Sequence, residues 1–168
     1  MVPHDSKWIV SYEEERARIE RVLRDQILEI HHVGSTAIPF IKAKPVIDIL
    51  VVVNNINAIN AYNFPMIRSG YEPRGEYGVS GRRYFTKTVG NTRTHNIHVF
   101  QFDHSDASWL VRFRDYLLEN YVDAKAYEEI KQVLAQKYTY DIDSYVKYKR
   151  IFIESIRVKI QNNDENMK

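Results

Sequence analysis

The alternation of apolar and polar positions divides the chain into a strand-rich first part and a helical last third. Near the start, Ser11 precedes Glu13, Glu14 and Glu15, acidic residues that favour the positive end of a helix, so the pattern predicts a helix over 11–25. The next run, ILEIHHV, is short, β-branched and stopped by Gly34, which predicts a strand over Ile27–Val33. Residues 46–53 are almost continuously apolar, the mark of a strand buried on both faces and interior to its sheet. Residues 55–70 read as a helix that Pro65 should break or kink. The glycine-punctuated stretch that follows predicts strands joined by turns at Gly75, Gly78, Gly81 and Gly90, with 82–88 the best strand and 95–102 another buried one.

The last third changes period. Trp109, Phe113, Tyr116 and Leu117 keep helical spacing, as do Tyr127, Ile130, Leu134 and Tyr138, and then Tyr145, Tyr148, Phe152, Ile156 and Ile160. A mixed sheet followed by a helical run predicts one α+β domain over 1–160 with a C-terminal three-helix cap. The polar stretch QNNDENMK, 161–168, has nothing to bury and is expected to be a disordered tail.

Composition narrows the chemistry. A length of 168 residues lets a single domain bury about 70% of its unfolded surface. No apolar run approaches the ~18 residues of a membrane span and no apolar leader opens the chain, so the expectation is a cytoplasmic protein with no membrane partner. The absence of cysteine excludes disulfides, zinc fingers, iron–sulfur clusters and thiol nucleophiles, leaving histidines and carboxylates as the ordinary metal ligands. The net charge of +2 gives no strong nucleic-acid signal. Its distribution is uneven, however, because Arg68, Arg74, Arg82, Arg83, Lys87 and Arg93 face only Glu72 and Glu76 within one segment. Such a segment suits a phosphate-bearing ligand or a solvated hairpin.

Three features carry candidate chemistry. Gly34-Ser35-Thr36 follows a strand, where a glycine lets the backbone turn so that amides and hydroxyls converge as in phosphate-binding turns, although ordinary turns have the same composition. Asp48 is a lone carboxylate in the apolar run PVIDILVVV, where an unpaired charge costs several kcal/mol. Either Lys44 or an arginine of the basic segment compensates it, or a divalent cation such as Mg²⁺ does. The histidines are the third feature: His95 and His98 lie an odd number apart, so a regular strand puts them on opposite faces, with His98 beside Asn96 and Phe100.

Taken together, HVGSTAIP, KPVIDILV, GRRYF, HNIHV, FRDYL, Tyr127 with Lys131, LAQKY, and Tyr145 with Lys149 resemble the GrpB family from about Trp8 to Phe152. That resemblance implies a nucleotidyltransferase-like superfold, in which a Gly-Ser turn holds nucleotide phosphates and strand carboxylates hold Mg²⁺. Carried over by position, it points to Glu15, His32, Gly34, Ser35, Thr36, Lys44, Asp48, Glu76, Arg83 and His98. Parity alone places His32 beside Leu28 and Ile30, which leaves its role open between site and core. The chain departs from the family pattern at Phe40, where a glycine is usual, and at Leu118 and Tyr121. The superfold's D-x-D pair is also incomplete, with Leu50 in the second position.

These readings define an expectation: a nucleotidyl-transferring enzyme acting on a nucleoside triphosphate and an acceptor. The Gly34–Thr36 turn, Lys44 and Arg83 would hold phosphates and Asp48 would bind Mg²⁺, with Glu15, Glu76 or His98 completing the metal site or serving as general base. The alternatives are a non-catalytic nucleotide- or phosphate-binding module and a metal-dependent phosphohydrolase using Asp48 with His32 or His98.

Overall fold

The computed structural model describes residues 1–166, in which helices flank both faces of a five-stranded mixed sheet. Helix α1 spans Lys7–Leu23 and begins four residues ahead of the expected cap. Trp8, Tyr12, Glu15, Ile19 and Leu23 are all buried at helical spacing, so the stripe to be covered starts at Trp8 and burial overrides the capping signal of Ser11. Released from capping, the Ser11 hydroxyl meets His95 Nε2 at 3.3 Å.

The strands are β1 (Ile27–Val33), β2 (Ile47–Val53), β3 (Tyr71–Pro73), β4 (Arg83–Val89) and β5 (Thr92–Gln101), in the order β1-β2-β5-β4-β3. Only the β2–β5 pair is parallel. Between β2 and β3, the expected helix over 55–70 splits into a 3₁₀ segment, Ile56–Tyr62, and a short helix α2, Asn63–Arg68. Pro65 falls in the first turn of α2, where its missing N–H costs nothing, so it starts a helix instead of kinking one.

Strand parity divides the core. Ile47, Ile49, Val51 and Val53 pack with Tyr12, Ile19, Leu23, Phe85, Ile97 and Val99 under α1. Leu50 and Val52 turn the other way, onto Val33, Phe100 and Ala107 under α3 (Ser105–Glu119). Burial on both faces, worth about 1.5–3 kcal/mol per large apolar side chain, explains why β2 shows no alternation in sequence.

Helices α3, α4 (Tyr121–Lys137) and α5 (Ile142–Asn166) form the expected cap. Their cluster of Phe113, Leu117, Tyr127, Ile156 and Ile160 closes over Ile38 and Ile41, so the cap clasps the loop that follows the Gly34-Ser35 turn. Helix α5 runs to Asn166, through most of the stretch expected to be a disordered tail, because a helix once nucleated extends at little cost. Met167 and Lys168 lie outside the described residues.

Candidate functional site

A cavity of about 750 Å³ lies where the Gly34–Thr36 turn, one face of β2 and β5, and the inner sides of α3, α4 and α5 meet. Its volume is that of a small-molecule site. The cationic side chains lining it are Lys44, Arg93, Lys131 and Lys149; the acidic one is Asp48, and Trp109, Phe113, Tyr127, Tyr138 and Tyr145 supply aromatic wall.

The turn and the carboxylate are built against each other. Gly34 adopts φ 72°, ψ −171°, a region essentially reserved for glycine, and a Cβ there would sit 2.6 Å from Asp48 Oδ2. Backbone and carboxylate can approach this closely only at a residue without a side chain. The antiparallel register that pairs Val33 with Asp48 sets this contact, since it delivers the end of β1 to the start of β2.

Asp48 is partly buried and hydrogen-bonded. Its Oδ1 accepts from Asn96 Nδ2 at 2.9 Å and faces His98 Nε2 at 3.4 Å, neighbours brought alongside by the parallel β2–β5 register. Arg82 Nη1 lies 3.4 Å from His98 Nδ1, which assigns the proton of a neutral His98 to Nε2, toward Asp48. Burial opposes the carboxylate's charge, but the hydrogen bond and field of His98, the Asn96 amide and the charge of Lys149 outweigh it and lower its pKa. The compensation expected from Lys44 or a basic-segment arginine thus comes from β5 and α5 instead.

Two lysines of the cap line the cavity, and Lys131 reaches the turn. Lys131 is 5% exposed, and its Nζ donates to Ser35 Oγ at 2.7 Å and to the Lys42 carbonyl at 3.3 Å while sitting over the Tyr127 ring. Burial and then the neighbouring charge of Lys149 push the Lys131 pKa down to about 8, against weaker support from Glu128 and Asp48. Lys149 is lowered too, by burial, with Asp48 opposing. A lysine held short of full solvation is a group whose charge an anion would stabilise.

The structure brings together only some of the sequence-predicted residues. Gly34, Ser35, Thr36, Lys44, Asp48 and His98 line the cavity. Thr36 is buried, and its hydroxyl is already engaged by His32 Nε2 at 2.9 Å and the Val46 carbonyl at 3.5 Å. His32 follows parity: it stacks on Tyr12 under α1, where burial pushes its pKa down to about 4, and it supports the turn from behind. Glu15 lies on the α1 face, opposite Asp48, where its carboxylate takes the Tyr71 hydroxyl and the Lys87 ammonium and pairs with Arg18 at 3.3 Å. Glu76 is exposed in the glycine-rich loop, accepting from the Gly81 amide at 2.8 Å. Arg83 pairs in register with Val99, on the α1 face, and donates to Asn60 Oδ1 at 2.6 Å, so it braces the 3₁₀ segment and does not reach the cavity.

Sequence reading did not assign Asn96, Arg93, Lys131 or Lys149 to the site. Its one signal for the lysines was the repeated Tyr-x-x-x-Lys spacing, Tyr127 with Lys131 and Tyr145 with Lys149, which sets an aromatic and a cation one turn apart on each of two helices. With Glu15 and Glu76 elsewhere, Asp48 is the one carboxylate lining the cavity among the described residues, and among these no three acidic or histidine side chains gather as metal ligands. A two-metal site lacks its donors here. A single Mg²⁺ would have Asp48 as its one carboxylate ligand, with phosphate and water oxygens completing its shell.

A five-stranded mixed sheet with flanking helices gives the chain a nucleotidyltransferase-like α+β fold. The fold is shared with Cid1 poly(U) polymerase in complex with the UTP analog UMPNPP, at a TM-score of 0.52 and 10% identity over 80% of this chain and 42% of that one. The chain belongs to the GrpB family, whose model, described as GrpB protein, matches residues 1–159. The crystal structure of GrpB from Enterococcus faecalis superposes with a TM-score of 0.88 and 36% identity, covering 96% of this chain and 97% of the other. The glutamate-rich protein GrpB of Alkalihalophilus pseudofirmus is 33% identical over 93% of this chain and 92% of its own length. Protein YqkA of Bacillus subtilis is 37% identical over 92% of this chain, which spans 45% of that longer relative. Among the described residues no helix is long and apolar enough to cross a membrane.

Proposed function

We propose that the cavity binds a nucleoside triphosphate, with its phosphates held by the Ser35 turn, Lys131, Lys149 and Lys44, and its base against the aromatic wall of α3–α5. The observation that carries this reading is the contact of buried Lys131 with the Ser35 hydroxyl, with half-buried Lys149 lining the same cavity within the field of Asp48, four lining cations against one acid among the described residues. A cavity so charged selects polyanions, and the nucleotidyltransferase-like fold favours a nucleotide among them. The reaction class that follows is transfer of the nucleotidyl group to an acceptor hydroxyl or amine, with catalysis resting on positioning and charge neutralisation. Mg²⁺ held at Asp48 would supply charge to the phosphates when bound. Of the chain's own groups, Lys131 and Lys149 neutralise phosphate oxygens, and His98 and Asn96 keep the Asp48 carboxylate charged and aimed.

A specific observation favours a second reading, a nucleotide-binding module without turnover. Leu50 replaces the second carboxylate of the superfold and is completely buried against Phe100 and Ala107, so no ligand can be recruited at that position. Calorimetric titration with ATP, CTP, GTP and UTP, with and without Mg²⁺, tests the shared core of both readings. Binding should weaken about tenfold or more in Lys149→Met, the loss of one charge-assisted contact. Equal affinity in that variant, or no nucleotide binding to the wild type at millimolar concentration, would remove the assignment. Mg²⁺-dependent pyrophosphate release then separates enzyme from module.

A further inference from the structure

The basic segment is only partly absorbed by the nucleotide cavity. Arg93 lines that cavity and Arg82 and Arg83 are bonded within their own surroundings, but Arg68 and Lys87 meet elsewhere. With Arg18 and Arg21 of α1 they line a second, open concavity of about 530 Å³, floored by Val22 and the Ser69-Gly70 turn between α2 and β3.

Four cations face this concavity, and Glu15 is the carboxylate that meets them, shared between Lys87 and Arg18. Arg21 and Arg68 have no acidic partner among the described residues, whereas Arg16, Arg74, Arg114 and Arg157 each pair with a carboxylate close in sequence. Arg18 and Arg21, three apart, share one side of α1 and repel each other. An excess of like charge gathered around one hollow is unfavourable when the hollow is empty and is relieved by an anion. The guanidinium groups also present the forked donors that match phosphate oxygens.

We propose that this concavity is a second anion site, separate from the nucleotide cavity, that takes the phosphate group of a small phosphorylated ligand through Arg18, Arg21 and Arg68. Lys87 is committed to Glu15 and sets the field without contacting the ligand. The cations cluster around one depression instead of tracking along a groove, which suits a compact phosphate in preference to a nucleic-acid backbone. The site lies under the α1 face while Asp48 opens on the opposite face of the sheet, so the two can be tested apart.

The test is an amide- and guanidinium-detected NMR titration of the whole chain with inorganic pyrophosphate at about 0.15 M salt, where weak surface condensation is screened. Saturable shifts should map to Arg18, Arg21, Arg68, Ser69 and Gly70, persist in Lys149→Met, and weaken about tenfold or more in the Arg21→Gln, Arg68→Gln double variant. No saturable shift at these signals overturns the proposal, as does unchanged affinity in the double variant. Binding of a short single-stranded oligonucleotide here with no response to pyrophosphate would overturn the assignment to a small ligand.

Discussion

Lys131 should cost the protein stability at neutral pH in exchange for anion affinity, and the sign of its effect should reverse with pH. Its pKa falls from the ordinary 10.5 to about 8 on burial, so the unfolded chain holds this proton more tightly than the folded one. Stability therefore rises with pH between 8 and 10.5, and below 8 the full penalty of keeping the buried ammonium charged is present, about 3 kcal/mol. Lys131→Met removes that penalty and also removes the bonds to Ser35 Oγ and the Lys42 carbonyl, about 1 kcal/mol each. The variant should thus be about 1 kcal/mol more stable than wild type at pH 7 and about 2 kcal/mol less stable near pH 10.5, by urea denaturation at each pH.

Ligand binding reads the same proton from the other side. Phosphates beside Nζ favour the ammonium and raise its pKa, so nucleotide binding at pH 8 should draw up about half a proton at Lys131, with Lys149 adding its share. Calorimetry in two buffers of different ionisation enthalpy measures that uptake, and the difference between wild type and Lys131→Met isolates the Lys131 part. Equal uptake in both proteins, or a variant less stable than wild type at pH 7, would refute the description of Lys131 as a strained cation awaiting an anion.

Gly34→Ala should lose about 1–3 kcal/mol from the backbone alone, and more from the collision with Asp48 Oδ2, in chemical denaturation; a loss below about 0.5 kcal/mol would mean the turn is not held as described. Arg83→Lys should leave nucleotide affinity unchanged in calorimetry while costing about 1 kcal/mol of stability through the Asn60 bond, and a tenfold fall in affinity would return Arg83 to the site. Asp48→Asn should destabilise the protein without metal by about 1–3 kcal/mol, because the bonds of Asn96 and His98 lose their charged acceptor and Lys149 its counter-charge. A depressed carboxylate pKa gives stability above its ordinary value that fades as pH falls through the folded one, so the variant should lack that acid-side loss.

Much of the fold was legible because the relevant signals are local. β1 ends at the glycine where its β-branched run stops, β2 shows burial on both faces as an unbroken apolar run, and the three C-terminal helices keep their spacing. The misplaced boundaries are those where tertiary burial competed with a local cue. Trp8 drew α1 past the cap at Ser11, and Pro65 served as a first-turn residue instead of a breaker. Parity also put His95 and His98 on opposite faces of the sheet, and the structure adds their partners: His98 meets Asp48, and His95 meets Ser11.

The site was legible only where one strand or turn carries it. Gly34 and Ser35 directly follow β1 and Asp48 is near the start of β2, its antiparallel neighbour, so their proximity follows from short range. Glu15, Glu76 and Arg83 were candidates by family position, yet each is bonded away from the cavity, Glu15 to Tyr71 and Lys87, Glu76 to the Gly81 amide and Arg83 to Asn60. The cationic wall comes from α4 and α5, roughly a hundred residues beyond the turn it faces, and nothing local to Lys131 marks it as buried except the tyrosine one turn before it.

Position 50 and the cap lysines are best understood together. A carboxylate in place of Leu50 would enter the fully buried cluster with Phe100 and Ala107, where an unpaired charge costs several kcal/mol, so the packing of α3 on β2 and a second metal ligand there exclude each other. If the proposed triphosphate binds, the charge that a second metal would have supplied falls to the lining cations, among which the α4 and α5 lysines occupy the cap side of the cavity. Helices that clasp Ile38 and Ile41 also fix the Ser35 turn, so the cap both supplies the cations and holds the backbone they face. Loosening the cap should accordingly weaken nucleotide binding even where no residue of the cavity is changed.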